Sequence, residues 1–247
     1  MRLLPGAHLV ASGSGGVDLT DPFDCNVYLI DGGDEVALVD AGIGRATDEL
    51  CRNIEASGVG LDRVRYVLLT HAHPDHSGGA AALSEVLPRA DIAASAAVAD
   101  WVGGGDERAM SVANGKRAGF YPRDFRFTPC RVGRVLEAAE LFTVGDVSIQ
   151  AIDTPGHAAG HLSFHAAIRG RKALFCGDLL FYGGRISLVG NDDCDLAAYA
   201  ASIGRVNQLE VDALFPGHHE VTLARGHRHI ASAYRSFSRG FVPPSIV

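Results

Sequence analysis

Short apolar runs bounded by glycine, proline or aspartate alternate along the chain with stretches in which apolar residues recur every three or four positions. The first pattern reads as buried strand and the second as amphipathic helix. Asn26–Ile30 and Glu35–Val39 are runs of the first kind, and the turn-forming Asp31-Gly32-Gly33-Asp34 between them predicts a hairpin. Leu50 and Ile54 share one helical face, predicting a helix from Thr47, a candidate cap, to Ser57, with Gly58 as its stop. Val64–Thr70 is a buried strand that runs directly into His71-Ala72-His73-Pro74-Asp75-His76, and a helix over Ala80–Leu87 follows, ended by Pro88.

The second half repeats the style. Val147–Ile152, Leu162–Ala167, Lys172–Cys176 and Ala213–Phe215 read as strands, Leu196–Leu209 as a helix turning Tyr199, Ile203 and Val206 inward, and His229–Phe237 as a final helix. Residues 100–130, broken by Gly103-Gly104-Gly105, Asn114-Gly115 and Tyr121-Pro122, predict a flap or short helices. Strands and helices occur in both halves, so two packed sheets with helices outside are expected, as a single domain over residues 1–247.

Composition narrows the function classes. The 247 residues are 47% hydrophobic and 21% charged, as in a packed globular chain that buries roughly 70–75% of its unfolded surface. The net charge of −7 disfavours nucleic acid as a partner. No apolar stretch is long enough for a spanning helix, and Pro5, His8 and a Gly/Ser run interrupt Leu3–Val17, so a cytoplasmic protein without a membrane partner is expected. The five cysteines are scattered without CxxC pairing, which suits reduced thiols. A homodimer is the base-rate expectation for oligomeric state.

The strongest chemical signal is the cluster after Val64–Thr70. His71 and His73 are two apart and aim to one side of an extended backbone, while the turn at Pro74 brings Asp75 and His76 from another direction. One loop can thus serve two ligand sets. A catalytic metal needs further ligands, and His157 in TPGHAAGH, Asp178 in LFCGDLLF and His218 in LFPGHHE each follow a glycine after a strand-like run. His219 is the rival of its neighbour for one ligand place.

On these motifs, from Asp40 to His218, the chain resembles the metallo-β-lactamase-fold hydrolases, in the style of glyoxalase-II-like and lactonase-like members. The resemblance implies an α+β fold, a four-layer αββα sandwich of two mixed sheets with helices outside. It implies that His71, His73 and His157 hold one metal, that Asp75, His76 and His218 hold a second, and that Asp178 bridges them. Asp40 in LVDAG would orient the metal loop, and His161 would take a structural or orienting role.

Two divalent ions, Zn2+ first and Mn2+ or Fe2+ as substitutes, would lower the pKa of a bridging water from 15.7 to about 7, making hydroxide the nucleophile on a small-molecule ester, thioester or lactone. Asp75 is expected to be catalytic as well as a ligand. In the run after Asp178, Tyr182 is a candidate oxyanion donor and substrate contact, and Arg185 a candidate carboxylate clamp. The alternative is a mononuclear iron oxidoreductase of the persulfide-dioxygenase kind, held by His71, His157 and Asp178. β-Lactam and phosphodiester hydrolysis are less favoured, for want of a secretory signal and of basic charge.

Overall fold

The computed structural model describes residues 1–247. Its first sheet runs β1 (Arg2–Leu4), β2 (Ala7–Ala11), β3 (Val27–Asp31), β4 (Val36–Val39), β5 (Val64–Leu68), β6 (Asp91–Ala94), β7 (Arg134–Val135), in spatial as in chain order. Pairing is antiparallel from β1 to β4 and parallel from β4 to β7. The second sheet comprises β8 (Leu141–Val144), β9 (Val147–Asp153), β10 (Leu162–Ile168), β11 (Arg171–Gly177) and β12 (Ala213–Pro216). Its strand order is β12-β11-β10-β9-β8, with the β11–β12 pair parallel and the rest antiparallel. Both sheets are therefore mixed.

Strand periodicity explains the layers. On β3, Val27 and Leu29 face the outer core while Tyr28 and Ile30 face the other sheet, and on β4 Val36 and Leu38 divide in the same way from Ala37 and Val39. On β11, Ala173 and Phe175 join the core between the sheets, whereas Leu174 and Cys176 face helices. Both faces of each sheet are buried, so these strands read as continuous apolar runs. Three cores result, and the architecture is the four-layer αββα sandwich.

The helices close the outer cores. Helix α1 (Thr47–Ala56) buries Leu50 and Ile54 against the first sheet, each burial stabilising by about 2 kcal/mol. The structure places Ala46 at its cap position and finds no side-chain cap, so Thr47 is the first helical residue and not the cap. A single turn, α2 (Pro74–Ser77), and α3 (Ala80–Val86) follow β5, while α4 (Ala96–Gly104) and α5 (Val112–Ala118) occupy the region without period. That region is anchored from below by Val102, Met110, Val112 and Phe127. On the second sheet, α6 (Leu196–Val206) turns Tyr199, Ile203 and Val206 inward and packs against α7 (His227–Ser238). No helix is long and apolar enough to cross a membrane.

Candidate metal centre

Every motif residue follows a strand that ends at the same edge of the sandwich. Asp40 follows β4, His71–His76 follow β5, His157 follows β9, Asp178 follows β11, and His218 follows β12. Backbone bonds lock these loops together. Ala41 N–H donates to the His76 carbonyl (2.7 Å), Cys25 N–H to that of Asp75 (3.3 Å) and Asn26 N–H to that of Gly217 (2.6 Å), which ties both sheets to one edge.

Three imidazoles form the first donor set. His73 Nδ1 lies 3.0 Å from His71 Nε2 and 3.0 Å from His157 Nε2, with all three side chains buried. Their outer nitrogens are held. Thr70 donates its hydroxyl to Asp40 (3.0 Å), so its oxygen accepts from His71 Nδ1 at 2.9 Å, and His157 Nδ1 donates to the Ser187 carbonyl at 3.1 Å. These partners leave both Nε2 lone pairs bare and aimed at His73.

The second set lies beside the first. His218 Nε2 is 3.0 Å from Asp75 Oδ2 and 3.3 Å from His76 Nε2, and His76 Nδ1 meets Asp40 Oδ2 at 2.8 Å. Asp40 reaches both Thr70 and His76 from a left-handed backbone, φ 66°. Asp178 stands between the sets, with Oδ1 3.4 Å from His76 Nε2 and Oδ2 3.6 Å from His157 Nε2 and 3.7 Å from His218 Nε2. Gly217 makes this approach feasible, since a Cβ there would lie 2.4 Å from Asp178 Oδ1 and 2.5 Å from His76 Cε1. His219, also at positive φ, turns its ring toward Phe181 and not into the set.

Protons alone do not satisfy this arrangement. A single proton on His73 Nδ1 can be given to one of the two bare nitrogens at 3.0 Å but not to both, and Asp178 Oδ1 is buried without a hydrogen-bond partner. A cation accepts all of these lone pairs at once, so the donor set fits divalent metal ions. Burial holds His73 and His157 down to about 4, keeping them neutral as ligands must be. Burial alone would raise the Asp75 carboxyl, but His76 and His218 outweigh it and bring it down to about 2. The Cys25 thiol, pushed up to about 12 by burial, stays protonated beside Asp40 and His76. His161 is buried with its ring stacked on His71 (centroids 5.1 Å) and Nδ1 against Thr154 Oγ1, outside both sets.

The centre opens into a cavity of about 330 Å³ whose lining includes His73, Asp75, His157, Asp178 and His218. Neither Tyr182 nor Arg185 lines it. The short 3-10 turn Tyr182–Gly184 swings Tyr182 onto His229 (centroids 4.5 Å), leaving it 53% exposed, and Arg185 donates to the Ser245 carbonyl. Two residues that sequence reasoning passed over do reach the centre. Tyr121 donates its hydroxyl to Asp75 Oδ1 (3.1 Å), and the Asn191 amide lies 3.2 Å from His73 Nε2. Both come from irregular segments, where no periodicity announces an inward side chain.

The sequence profile of the metallo-beta-lactamase superfamily matches residues 20–218. An acyl-coenzyme A thioesterase, MBLAC2 of Gallus gallus, is 28% identical over 226 residues, covering 85% of this chain and 78% of that protein. An atrochrysone carboxyl ACP thioesterase of Aspergillus fumigatus is 25% identical over 194 residues, 78% of this chain but only 50% of that protein. Among solved structures, a metallo-beta-lactamase with an HARLDQ motif from Cronobacter sakazakii superposes with a TM-score of 0.74 at 21% identity, over 97% of this chain and 96% of that one. With both donor sets contained in or bounded by the matched residues, the chain belongs to the metallo-β-lactamase superfamily.

Proposed function

We propose that the protein is a dinuclear metal-dependent thioester hydrolase acting on a small-molecule substrate. The observation that carries this reading is the meeting of two complete donor sets at one carboxylate, Asp178, on the floor of an open cavity. His71, His73 and His157 would hold one divalent ion and Asp75, His76 and His218 the other, with Zn2+ the first choice and Mn2+ or Fe2+ accepted by the same donors. Such ions supply Lewis acidity and a water acidified from 15.7 toward about 7.

The remaining work falls to the protein. Asp40, Thr70 and the Ser187 carbonyl fix which nitrogen of His76, His71 and His157 carries the proton. Asp75, ionised at neutral pH, can only accept hydrogen bonds, and Tyr121 occupies its Oδ1 so that Oδ2 is left facing the second set. Apolar wall residues Phe23, Val189 and Ile246 suit an acyl chain and exclude water around it. Two relatives named as thioesterases, one for acyl-coenzyme A, support a thioester over an ester or lactone. A mononuclear iron oxidoreductase would leave Asp75, His76 and His218 without a task.

The test is elemental analysis of protein purified without added metal, with the same preparation assayed on an acyl thioester, a lactone and an aryl ester. About two zinc or manganese per chain and preferential thioester turnover are expected. About one iron per chain without hydrolysis would overturn the reading.

A further inference from the structure

The charge of the chain is not evenly spread. Residues 108–131 hold six basic side chains, Arg108, Lys116, Arg117, Arg123, Arg126 and Arg131, against Asp124 alone, a local net of +5 in a chain of −7. The arginines that pair with carboxylates, such as Arg45, Arg63, Arg65, Arg134 and Arg205, lie outside this segment, and none within it forms an ion pair. The acids just before it are occupied, with Asp106 accepting from the amides of Arg108 and Ala109 and Glu107 from that of Phe127.

This segment is also one wall of the metal cavity, through Ser111, Asn114, Ala118, Gly119 and Phe120. Arg117 donates to the side-chain oxygen of Asn114, which places a guanidinium against a wall residue at the rim. Phe120, three residues on, lines the cavity yet is 45% exposed, and Arg123 follows three residues later, also exposed. An exposed aromatic side chain with an exposed arginine three residues away on either side in the sequence, neither of them bound to a carboxylate, suits a heterocyclic base carrying phosphates.

We propose that Arg117, Phe120 and Arg123 form a subsite for the phosphorylated nucleotide part of a coenzyme A-type thioester, outside the metal centre. The subsite deepens the thioester-hydrolase reading and rests on it for its catalytic meaning. It would hold the carrier by its phosphates while the acyl end reaches the cavity floor, so its contribution falls on substrate binding and not on bond cleavage.

The experiment has a binding arm and a kinetic arm, both on the metal-loaded protein. Calorimetric titration with adenosine 3′-phosphate 5′-diphosphate, which contains no thioester, is compared between wild type, Arg117→Gln/Arg123→Gln and Phe120→Ala. Each variant is expected to bind about tenfold or more weakly, the arginine variant through lost charge-assisted contacts and Phe120→Ala through lost stacking on the base. In the kinetic arm, the arginine variant should raise KM for an acyl-coenzyme A about tenfold at unchanged kcat while leaving the acyl-N-acetylcysteamine thioester, which lacks phosphates, unaffected. Because these side chains are exposed, the fold is not at risk. Equal nucleotide affinity in wild type and variants overturns the subsite, even if both thioesters are hydrolysed. Nucleotide binding that the variants lose, with neither thioester hydrolysed, upholds the subsite and overturns the hydrolase reading.

Discussion

The Tyr121 hydroxyl donates to Asp75 Oδ1 at 3.1 Å, joining the cavity wall to the second donor set. The ring lies against Gly115, where a Cβ would stand 2.1 Å from it, so α5 itself holds the phenol in place. Burial, followed by the Asp75 charge, raises the phenol well above its ordinary value, so it remains a proton donor. In the dinuclear centre proposed above, Tyr121→Phe is expected to weaken metal binding at the second donor set by about tenfold or more while sparing the first set, as loss of a hydrogen bond to a ligand does. Chelator competition reads this directly. Tyr182→Phe, on the exposed turn against His229, should change neither affinity, and equal effects of the two substitutions would refute the assignment.

Asp40→Asn tests the support of His76. Asparagine tolerates the left-handed backbone at this position, so the fold should survive. The amide no longer offers two charged acceptors to Thr70 and His76 Nδ1. Metal affinity is expected to fall about 10–100-fold, with an unchanged circular dichroism spectrum. Full metal content after dialysis of the variant against chelator would contradict this.

Gly217→Ala drives a methyl group into Asp178 Oδ1 and His76 Cε1. One of the two side chains must move, and either movement separates the donor sets. A loss of about 1–3 kcal/mol in stability, the usual cost of overpacking, should accompany reduced metal content. Thermal melting and elemental analysis of one preparation check both. A variant with wild-type metal content would show that the close approach is not needed.

The pH dependence of the metal-free protein follows from its buried histidines. Burial holds His73 and His157 down to about 4, whereas an unfolded chain takes up those protons near 6.5. Their contribution to stability is complete above pH 6.5 and is lost as pH falls toward 4. His76 acts in the other direction. Burial lowers it, but Asp75, Asp40 and Asp178 outweigh burial and hold it well above its ordinary value, so its contribution is lost as pH rises through the folded value. Melting temperature should therefore decline from pH 6.5 toward 4, and a rise over that window would be incompatible with neutral, buried His73 and His157.

Legibility in the sequence depended on whether a signal was local. His71, His73, Asp75 and His76 stand within six residues, and His157, Asp178 and His218 each follow a glycine at a strand end, so their chemistry could be read without knowing the packing. The buried strands β3, β4, β5 and β11 were visible for a related reason, as both of their faces are covered. Ala7–Ala11 and Asp91–Ala94 were not, because alanine, histidine and aspartate dilute the apolar run, and tertiary burial makes strands of them. Tyr121 and Asn191 escaped because an irregular segment aims its side chains by packing alone. Tyr182 misled for the opposite reason, since a place in sequence close to Asp178 says nothing of which way a left-handed turn at Gly183 will send the chain.

The two sheets share the donor sets across long stretches of chain, with His157 84 positions after His73 and His218 142 positions after His76. Contacts of such separation form slowly, because loop-closure entropy is lost before any contact compensates for it. The loop 71–76 can gather only part of either set, so a nascent or half-folded chain has little hold on an ion. In the proposed dinuclear centre, high-affinity metal uptake would thereby wait for the last stage of folding, and ions bound that late would act as a latch on a sandwich that has already closed.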